Sequence, residues 1–459
     1  MIEDWRLPED GTPRYRALAR LLERRIERGE MRPGARLPPQ RQLAYRLGVT
    51  IGTVGRAYEL LIGRGLARGE VGRGTFVRDP AVTPGSHGSM EERPASIDLT
   101  TNAPLPIAET DELSRLLGDI LARSPNTALF SAYPPTQGTL AHRRAAAAWL
   151  AANGTAVDPE RVVLTGGGQP AIAAALSALT RPGDGVLLEA FTYSRFVTLA
   201  TTLGLRPHAI AIDEHGLVPA ALDAALRQQR GRVLVLSPNL SNPTTAMLPP
   251  ERREELLAIV RRHDAAIVED DVYGPLVESR PPSLAALDPE RVVHVTSLSK
   301  FLAPALRIGV MAVPPRLLGA VVQRHADLAL AAPALLHELL ATAQTEGLLA
   351  RAQTAQRLAI RDRQAAVRQV LRAGPIRSRP EALHVWLHLP PGVDAETLAL
   401  SLAGAGIRVA TARAFAVEPR DAPAALRLSI GGPLARELLL GALGRIDAAI
   451  VQGPTADAI

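Results

Sequence analysis

Short apolar runs that alternate with helical stretches constrain the fold of this chain most strongly. Runs rich in valine, isoleucine and leucine occupy residues 161–165, 186–189, 233–237, 266–270, 292–296 and 308–313. An unbroken apolar strand has to be covered on both faces, so this alternation predicts an α/β fold with a mostly parallel sheet between helices. We therefore expect ligand-binding groups at the carboxyl ends of these strands.

Polar residues follow the apolar runs where such a sheet would bind a ligand. The first run leads into a glycine-rich turn with Gly167, Gly168 and Gln169, ahead of a helix that begins near Pro170. Backbone N–H groups at such a turn can bind a phosphate, although the turn is equally consistent with an ordinary strand-to-helix connection. The later runs are followed by Asn242, Asp270, Tyr273, Ser297, Lys300 and Arg307.

Lys300 is the single lysine among 52 basic residues, and all the others are arginine. A guanidinium cannot lose its proton near neutrality and cannot form an imine, whereas a desolvated primary amine can. Lys300 is therefore a candidate for holding an aldehyde cofactor such as pyridoxal phosphate (PLP). The alternative is a solvated cation left over by a bias toward arginine. The polar residues around Lys300 favour the cofactor.

The first 79 residues carry a separate, basic pattern. They hold 16 arginines and 10 acidic residues, a surplus of +6 that equals the net charge of the whole chain. Such a module suits a polyanion. Helical spacing over residues 14–28, a second helix from Gln40 to Leu47 ended by Gly48, and a third helix capped by Thr50 predict a helix-turn-helix.

The third helix of this module would present Thr50, Thr53 and Arg56 to the major groove of double-stranded DNA. Arg41, on the preceding helix, would contact a phosphate or a base. Two short strands joined at Arg73 predict a hairpin wing that reaches phosphate or the minor groove. A winged helix that binds another protein is the alternative.

Composition sets the expected organisation and compartment. The chain has no cysteine, which excludes disulfides and thiolate sites, and it has neither a signal peptide pattern nor an apolar run of membrane-spanning length. We expect a cytoplasmic protein. Residues 80–95 are rich in proline, glycine and serine and predict a flexible linker. The expected domains are 1–79, the linker 80–95 and a body 96–453, divided into a large part to about residue 345 and a small part over about 350–450.

The ordered motifs of the body resemble those of the fold type I aminotransferases. The resemblance implies that Lys300 forms the internal aldimine with PLP and that Asp270 pairs with the ring nitrogen. Asn242 and Tyr273 would then bond the ring oxygen. The residues that would hold the phosphate are Gly167, Gly168, Gln169, Ser297 and Arg307.

The same resemblance assigns residues outside these motifs. Tyr193 fits the aromatic residue that stacks on the cofactor ring, with Phe191 as a competing choice. Tyr133 matches the tyrosine that each subunit of a dimer donates to its partner's phosphate. Arg427 matches the arginine that binds a substrate carboxylate. Arg195 follows Tyr193 by two residues and could bind a second ligand carboxylate.

The N-terminal module resembles the GntR-type winged helix along its whole length, from Pro13 through Pro33-Gly34, Leu37-Pro38 and Thr53-Val54 to residues 72–77. Ile51 stands where that family often has an arginine, so the operator sequence cannot be carried over. The two resemblances together match the MocR subfamily of GntR regulators. They imply a homodimeric, PLP-bound transcription regulator that senses an amine or amino acid through an external aldimine at Lys300. The alternatives are an active aminotransferase with an accessory module and a scaffold without PLP.

Overall fold

The computed structural model describes Trp5 and residues 13–27, 30–31, 35–63, 67–70, 74–77, 96–123, 127–329 and 331–452. The chain separates into two compact units, Met1–Gly88 and Ser89–Ile459. The predicted linker 80–95 and the wing residue Arg73 lie outside the described residues. Among the helices within these ranges, none combines the length and apolar character needed to span a membrane.

The N-terminal unit contains helices followed by a two-stranded antiparallel ribbon. Its elements are α1 (Arg14–Glu27), α2 (Gln40–Leu47), α3 (Ile51–Gly63), β1 (Ala67–Glu70) and β2 (Gly74–Val77). Helix α2 ends at Gly48, where the φ angle of 61° favours a residue without Cβ. At the start of α3, the Thr53 amide donates to Thr50 Oγ1 at 3.2 Å, as predicted for a capping threonine. Buried apolar side chains from α1, α2 and α3 form the core of this unit.

The C-terminal unit alternates strands and helices along most of its length. Its elements in chain order are β3 (Ile97–Asp98), α4 (Glu109–Ala122), α5 (Thr127–Ser131), α6 (Leu140–Ala152), β4 (Val162–Thr165), α7 (Gly168–Leu179), β5 (Gly185–Glu189), α8 (Ser194–Thr202), β6 (Arg206–Ile210), β7 (Ile212–Asp213), β8 (Gly216–Leu217), α9 (Pro219–Arg227), β9 (Val233–Leu236), α10 (Pro250–Arg262), β10 (Ala266–Asp270), α11 (Leu284–Leu287), β11 (Val292–Ser297), β12 (Gly309–Ala312), α12 (Pro315–Ala329), α13 (Ala334–Thr345), α14 (Leu348–Val370), β13 (Ile376–Arg377), β14 (His384–His388), α15 (Ala395–Gly404), β15 (Ile407–Arg408), β16 (Ala410–Thr411), β17 (Ala425–Ser429) and α16 (Arg436–Gln452).

A seven-stranded sheet in the order β4-β12-β11-β10-β9-β5-β6 forms the centre of this unit. Strand β12 runs antiparallel to both of its neighbours, and the other pairs are parallel. The predicted α/β fold is confirmed, and each predicted apolar run is a strand of this sheet. The sequence did not reveal β6, because this edge strand includes Arg206, Pro207 and His208 and so lacks an unbroken apolar run.

A smaller sheet in the order β13-β14-β17-β16 follows the long helix α14. Buried apolar residues of β14 and β17 pack with residues of α15, β15 and α16 in a separate core, and we call these elements the C-terminal lobe. Strand β3, the first strand of the unit, pairs in parallel with β15. Leu99, just after β3, is also part of this core. The start of the C-terminal unit, at β3, therefore packs beside elements near the end of the chain.

Candidate functional site

The carboxyl ends of β10 and β11 bring Asp270 and Lys300 to one edge of the large sheet. Asp270 is the last residue of β10 and Ser297 is the last residue of β11. Lys300 ends the 3₁₀ turn Leu298–Lys300 that follows β11. Because β10 and β11 are neighbouring parallel strands, the side chains after them share one site.

The amine of Lys300 has a lowered affinity for its proton. Burial lowers the pKa of Lys300 to about 8 against the attraction of Asp270, while the charges of Arg427 and Arg307 lower it further. Part of the Lys300 population is therefore unprotonated near neutral pH, which is the form that attacks a carbonyl. Lys300 Nζ donates to the backbone oxygen of Asn102 at 2.8 Å and lies 5.7 Å from the centroid of the Tyr273 ring.

Two adjacent carboxylates, Asp270 and Asp271, have opposite surroundings. Burial raises the pKa of Asp270 to about 7, and the charge of Asp271 adds to the rise. Burial acts in the same direction on Asp271, but its ion pair with Arg280 holds the pKa of Asp271 below its usual value. Within the described part of the chain, Asp270 forms no ion pair within 4.0 Å, and Ser237 Oγ lies 3.4 Å from it. A cationic ligand group would satisfy Asp270.

In the turn after β4, the backbone of Gly167 lies close to the guanidinium of Arg307. Gly167 has a φ angle of 110° and precedes α7, whose first residue is Gly168. A Cβ atom on Gly167 would lie 2.7 Å from Arg307 Nη2. The first turn of α7 and this guanidinium together offer N–H donors to an anion. Among the described residues, Ser299 Oγ is buried without a hydrogen-bond partner.

Aromatic and amide side chains adjoin this anion-binding turn. Gln169 Nε2 donates to the hydroxyl of Tyr193 at 2.9 Å. The competing candidate, Phe191, instead packs its ring against Trp386, with centroids 6.2 Å apart. Asn242 is buried, and its Oδ1 lacks a partner in the described part of the chain. Of the two aromatic candidates, Tyr193 is the one connected to the glycine-rich turn.

Arg427 lies on β17 and is only 4% exposed. Burial lowers the pKa of Arg427 to about 10, which leaves it charged at neutral pH. Its Nη1 donates to Asn102 Oδ1 at 2.7 Å and its Nη2 donates to the backbone oxygen of Thr100. The Arg427 guanidinium also lies 5.0 Å from the centroid of the Phe415 ring. Arg427 is thus a fixed positive charge beside Lys300.

Two further predicted residues, Arg195 and Tyr133, have no hydrogen bond to the site residues described above within the described part of the chain. Arg195 lines a cavity of about 170 Å³ together with Gln169 and residues of α7 and α8. The structure leaves Tyr133 87% exposed. An exposed tyrosine is available to a second subunit, whereas Arg195 adjoins the glycine-rich turn within its own chain.

Asn102 and His384 belong to the site but were not predicted from the sequence. Asn102 Nδ2 donates to the Tyr273 hydroxyl at 3.1 Å and lies 2.9 Å from His384 Nδ1. Burial lowers the pKa of His384 to about 3, so the ring is neutral. His384 lies within an apolar run that is typical of core. Asn102 follows β3 in a stretch without a recognisable motif.

The N-terminal unit carries the predicted DNA-contacting residues that the structure describes on α2, on α3 and at Thr50, just before α3. Arg41, Thr50 and Arg56 are exposed, and Thr53 is half-buried. Thr50 Oγ1 and Thr53 Oγ1 lie 2.8 Å apart. Ile51, at the start of α3, is 48% exposed, so an apolar side chain accompanies the polar ones. These side chains form a surface suited to phosphate and base contacts.

Both units match known families. Residues 97–443 match "Aminotransferase class I and II", and residues 14–77 match "Bacterial regulatory proteins, gntR family". The chain is 31% identical over 437 residues to YdeF of Bacillus subtilis (strain 168), an uncharacterized HTH-type transcriptional regulator, and the match covers 93% of this chain and 92% of that protein. It is 32% identical over 324 residues to the 2-aminoadipate transaminase of Thermus thermophilus, covering 67% of this chain and 79% of that enzyme.

A solved structure is similar to the body. LysN, the alpha-aminoadipate aminotransferase of Thermus thermophilus, complexed with N-(5'-phosphopyridoxyl)-L-leucine, aligns with a TM-score of 0.70 and 29% identity. The alignment covers 78% of this chain and 93% of that one. A helix-turn-helix domain followed in the sequence by a PLP-binding aminotransferase domain defines a class of PLP-dependent DNA-binding regulators. The chain belongs to the MocR subfamily of GntR transcription regulators. The resemblance found in the sequence is confirmed, as is the assignment of PLP as cofactor.

The site residues fit this cofactor. Asp270, which has no ion pair among the described residues, suits a protonated pyridine nitrogen, and the buried Asn242 is available to the ring oxygen. Gly167 lies against the Arg307 guanidinium and Gly168 begins α7, so these residues, with Gln169 and with Ser297 at the end of β11, are the ones that would hold the phosphate. Lys300 would supply the amine. The individual roles remain predictions that mutagenesis can test.

Replacing Gly167 with alanine should weaken PLP binding. The added Cβ would push against Arg307 Nη2, and the positive φ adds strain to any residue other than glycine. We expect the affinity for PLP to fall about tenfold, which corresponds to ~1.4 kcal/mol. Equilibrium dialysis of PLP against the full chain would measure it. Gly183→Ala is the matched control, because Gly183 has a φ angle of 92° with no atom within 4 Å of an added Cβ. Equal losses in both variants would contradict a phosphate role for the turn.

Proposed function

We propose that this regulator senses an amine or amino acid at Lys300 and that ligand binding changes its affinity for DNA. The observation that carries this proposal is that the single lysine lies beside a buried arginine, Arg427, in a site separate from the basic N-terminal unit. Bound PLP supplies an aldehyde that combines reversibly with primary amines. A ligand with an amine and a carboxylate can therefore engage both the cofactor held by Lys300 and the guanidinium of Arg427.

Each residue of the site has a proposed role in binding this ligand. Lys300 holds the cofactor and accepts or returns the proton of the incoming amine. Asp270 maintains the charge of the ring nitrogen, and Asn242 and Tyr273 orient the ring through its oxygen. Tyr193 covers one face of the ring. Arg427 binds the ligand carboxylate through its planar fork, and Arg195 is available for a second one.

The organisation of the chain supports a mobile DNA module. We propose that residues 1–79 bind double-stranded DNA, that 80–95 act as a linker and that 96–453 form the PLP body, with its smaller part over about 350–450. The exposed Tyr133 supports a homodimer in which each subunit's tyrosine reaches its partner's phosphate. Because its target is chromosomal DNA, the regulator would work in the cytoplasm.

Mobility shifts with DNA from upstream of its own gene would test the regulator. The full chain should shift this DNA specifically, and an amino acid that perturbs the PLP absorbance should change the shift. If no specific shift appears under any of these conditions, the regulatory role is wrong. If the shift ignores every ligand that perturbs the absorbance, the sensing mechanism is wrong although DNA binding stands.

An active aminotransferase is the second candidate function. The similarity to the 2-aminoadipate transaminase favours it, because that relative is an enzyme and the proposed catalytic set of this chain includes a lysine, an aspartate and a carboxylate-binding arginine. A coupled assay with amino acids and 2-oxo acids separates the two functions. Rapid turnover without any specific DNA shift would make catalysis the primary role.

Arg56→Ala should weaken DNA binding and reduce its dependence on salt. Arg56 is exposed on α3, and loss of one phosphate contact lowers the slope of log affinity against log salt by about 0.9. The affinity at moderate salt should fall about tenfold. Titrations at several salt concentrations would measure both quantities. Arg20→Ala is the matched control, since Arg20 is an exposed arginine on α1 and should not lie at the DNA. An unchanged slope in the Arg56→Ala protein would contradict a phosphate contact.

A further inference from the structure

Asn102 connects the charged groups of the site through both its backbone and its side chain. Its backbone oxygen accepts from Lys300 Nζ at 2.8 Å, and its Oδ1 accepts from Arg427 Nη1 at 2.7 Å. Its Nδ2 contacts the Tyr273 hydroxyl and His384 Nδ1. All its polar side-chain atoms are therefore engaged, and the amide is held in one orientation.

The fork of Arg427 faces two oxygens from one short segment. Nη1 binds Asn102 Oδ1, and Nη2 binds the backbone oxygen of Thr100. A carboxylate that binds a guanidinium side-on also places two oxygens on two nitrogens. The segment 100–102 therefore offers Arg427 the same pattern of acceptors as a ligand carboxylate, but without the negative charge.

A buried guanidinium without acceptors would be costly, so these two oxygens stabilise Arg427 until a ligand arrives. An incoming carboxylate provides a stronger, charged acceptor for the same N–H groups. Nη1 and Nη2 each carry a second N–H, and Arg427 Nε has no hydrogen-bond partner among the described residues, so the carboxylate displaces Asn102 Oδ1 when it takes the same Nη1 hydrogen. A carboxylate in that position moves the amide of Asn102.

We propose that Asn102 is a specificity-determining residue that occupies the carboxylate-binding position of Arg427 and is displaced by the carboxylate of the ligand. The inference deepens the proposed sensing function and rests on it for the identity of the ligand class. Neutral ligands do not displace the Asn102 amide, because they offer Arg427 no more than the amide already does. The site thus selects amino acids over simple amines.

The segment that carries Asn102 is anchored on the C-terminal lobe. The Ile97 amide donates to the Gly406 oxygen and the Leu99 amide donates to the Arg408 oxygen, each at 2.8 Å. The Ser429 amide donates to the Leu99 oxygen at 2.8 Å. Displacement of Asn102 therefore acts on a strand with defined hydrogen bonds, whose exchange can be measured.

Two substitutions with opposite expected effects test the proposal. The probe is propionate, a carboxylate without an amine, titrated by calorimetry into the PLP-loaded full chain. Asn102→Ala removes the competing oxygen and should bind propionate about tenfold more tightly than the natural chain. Asn102→Asp places a carboxylate on Arg427 and should bind propionate at least about tenfold more weakly. Thr101→Ala is the control, because Thr101 is exposed, and it should leave the affinity unchanged.

The result that would overturn the proposal is weaker binding in both Asn102 variants, or no change in either, since a merely structural residue would behave in that way. Hydrogen exchange on the natural chain provides a measurement that needs no variant. Amides of residues 97–99 should exchange faster with saturating propionate than with propionamide, its uncharged counterpart. Equal exchange with the two compounds would contradict displacement. Propionate has no amine and the assay has no DNA, so these outcomes are independent of whether the protein regulates transcription.

Discussion

Lys300→Ala should abolish the yellow absorbance that the natural chain develops with PLP. Lys300 is the only lysine of the sequence, so no other side-chain amine can replace it. Its pKa of about 8, lowered mainly by burial, keeps part of the amine unprotonated near neutrality. Absorbance after dialysis against PLP measures the effect, and the loss should be complete. Borohydride treatment of the natural chain should leave PLP on the peptide that contains Lys300.

Lys300→Arg is the matched control for this experiment. It retains a positive charge beside Asp270 but cannot form an imine. Both variants should be colourless, and the arginine variant should retain weak, noncovalent PLP binding through the phosphate-contacting residues. A yellow, borohydride-stable adduct in either variant would show that another amine holds the cofactor.

Arg427→Gln should reduce the affinity for amino-acid ligands about a hundredfold. Two charge-assisted hydrogen bonds to a carboxylate contribute about 3 kcal/mol together, and each 1.4 kcal/mol corresponds to a factor of about ten. The absorbance change of the bound PLP on titration with an amino acid would give the affinity. The affinity for PLP itself should stay nearly constant, because Arg427 lies on β17, away from the glycine-rich turn that contacts Arg307.

The matched ligand for Arg427→Gln is the amine that lacks only the carboxylate. Its affinity should be nearly the same for the natural chain and the variant. If Arg427→Gln weakens the amine and the amino acid alike, Arg427 shapes the site without binding the carboxylate. If neither ligand is affected, the carboxylate binds elsewhere, and Arg195 becomes the leading candidate.

The large sheet was predictable from the sequence because its central strands are buried on both faces. Strands β9, β10 and β11 are buried throughout and apolar over most of their length, and the site follows directly from where they end. Edge strand β6 does not have to be buried on both faces, so its sequence is less apolar and we did not predict it. The capping role of Thr50 and the end of α2 at Gly48 were also predictable, because both depend on local backbone geometry.

The part of the site that depends on distant pairing could not be predicted. Asn102 meets Tyr273 across 171 residues of sequence and Arg427 across 325. No spacing rule relates such positions, and the preference of asparagine for turns and helix caps does not distinguish a site residue from a loop residue. His384 lies in an apolar run, so the sequence predicts a core residue. It is indeed buried, but its Nδ1 also contacts Asn102, which only the fold brings near. The unlike environments of Asp270 and Asp271 likewise depend on Arg280, which only the fold brings to one of them.

The parallel pairing of β3 with β15 has a mechanical consequence. The amides of Ile97 and Leu99, in and just after β3, donate to the backbone oxygens of Gly406 and Arg408. A rotation of the C-terminal lobe would therefore carry β3 with it. Lengthening the proposed linker, residues 80–95, should therefore uncouple ligand binding from DNA binding while leaving each intact.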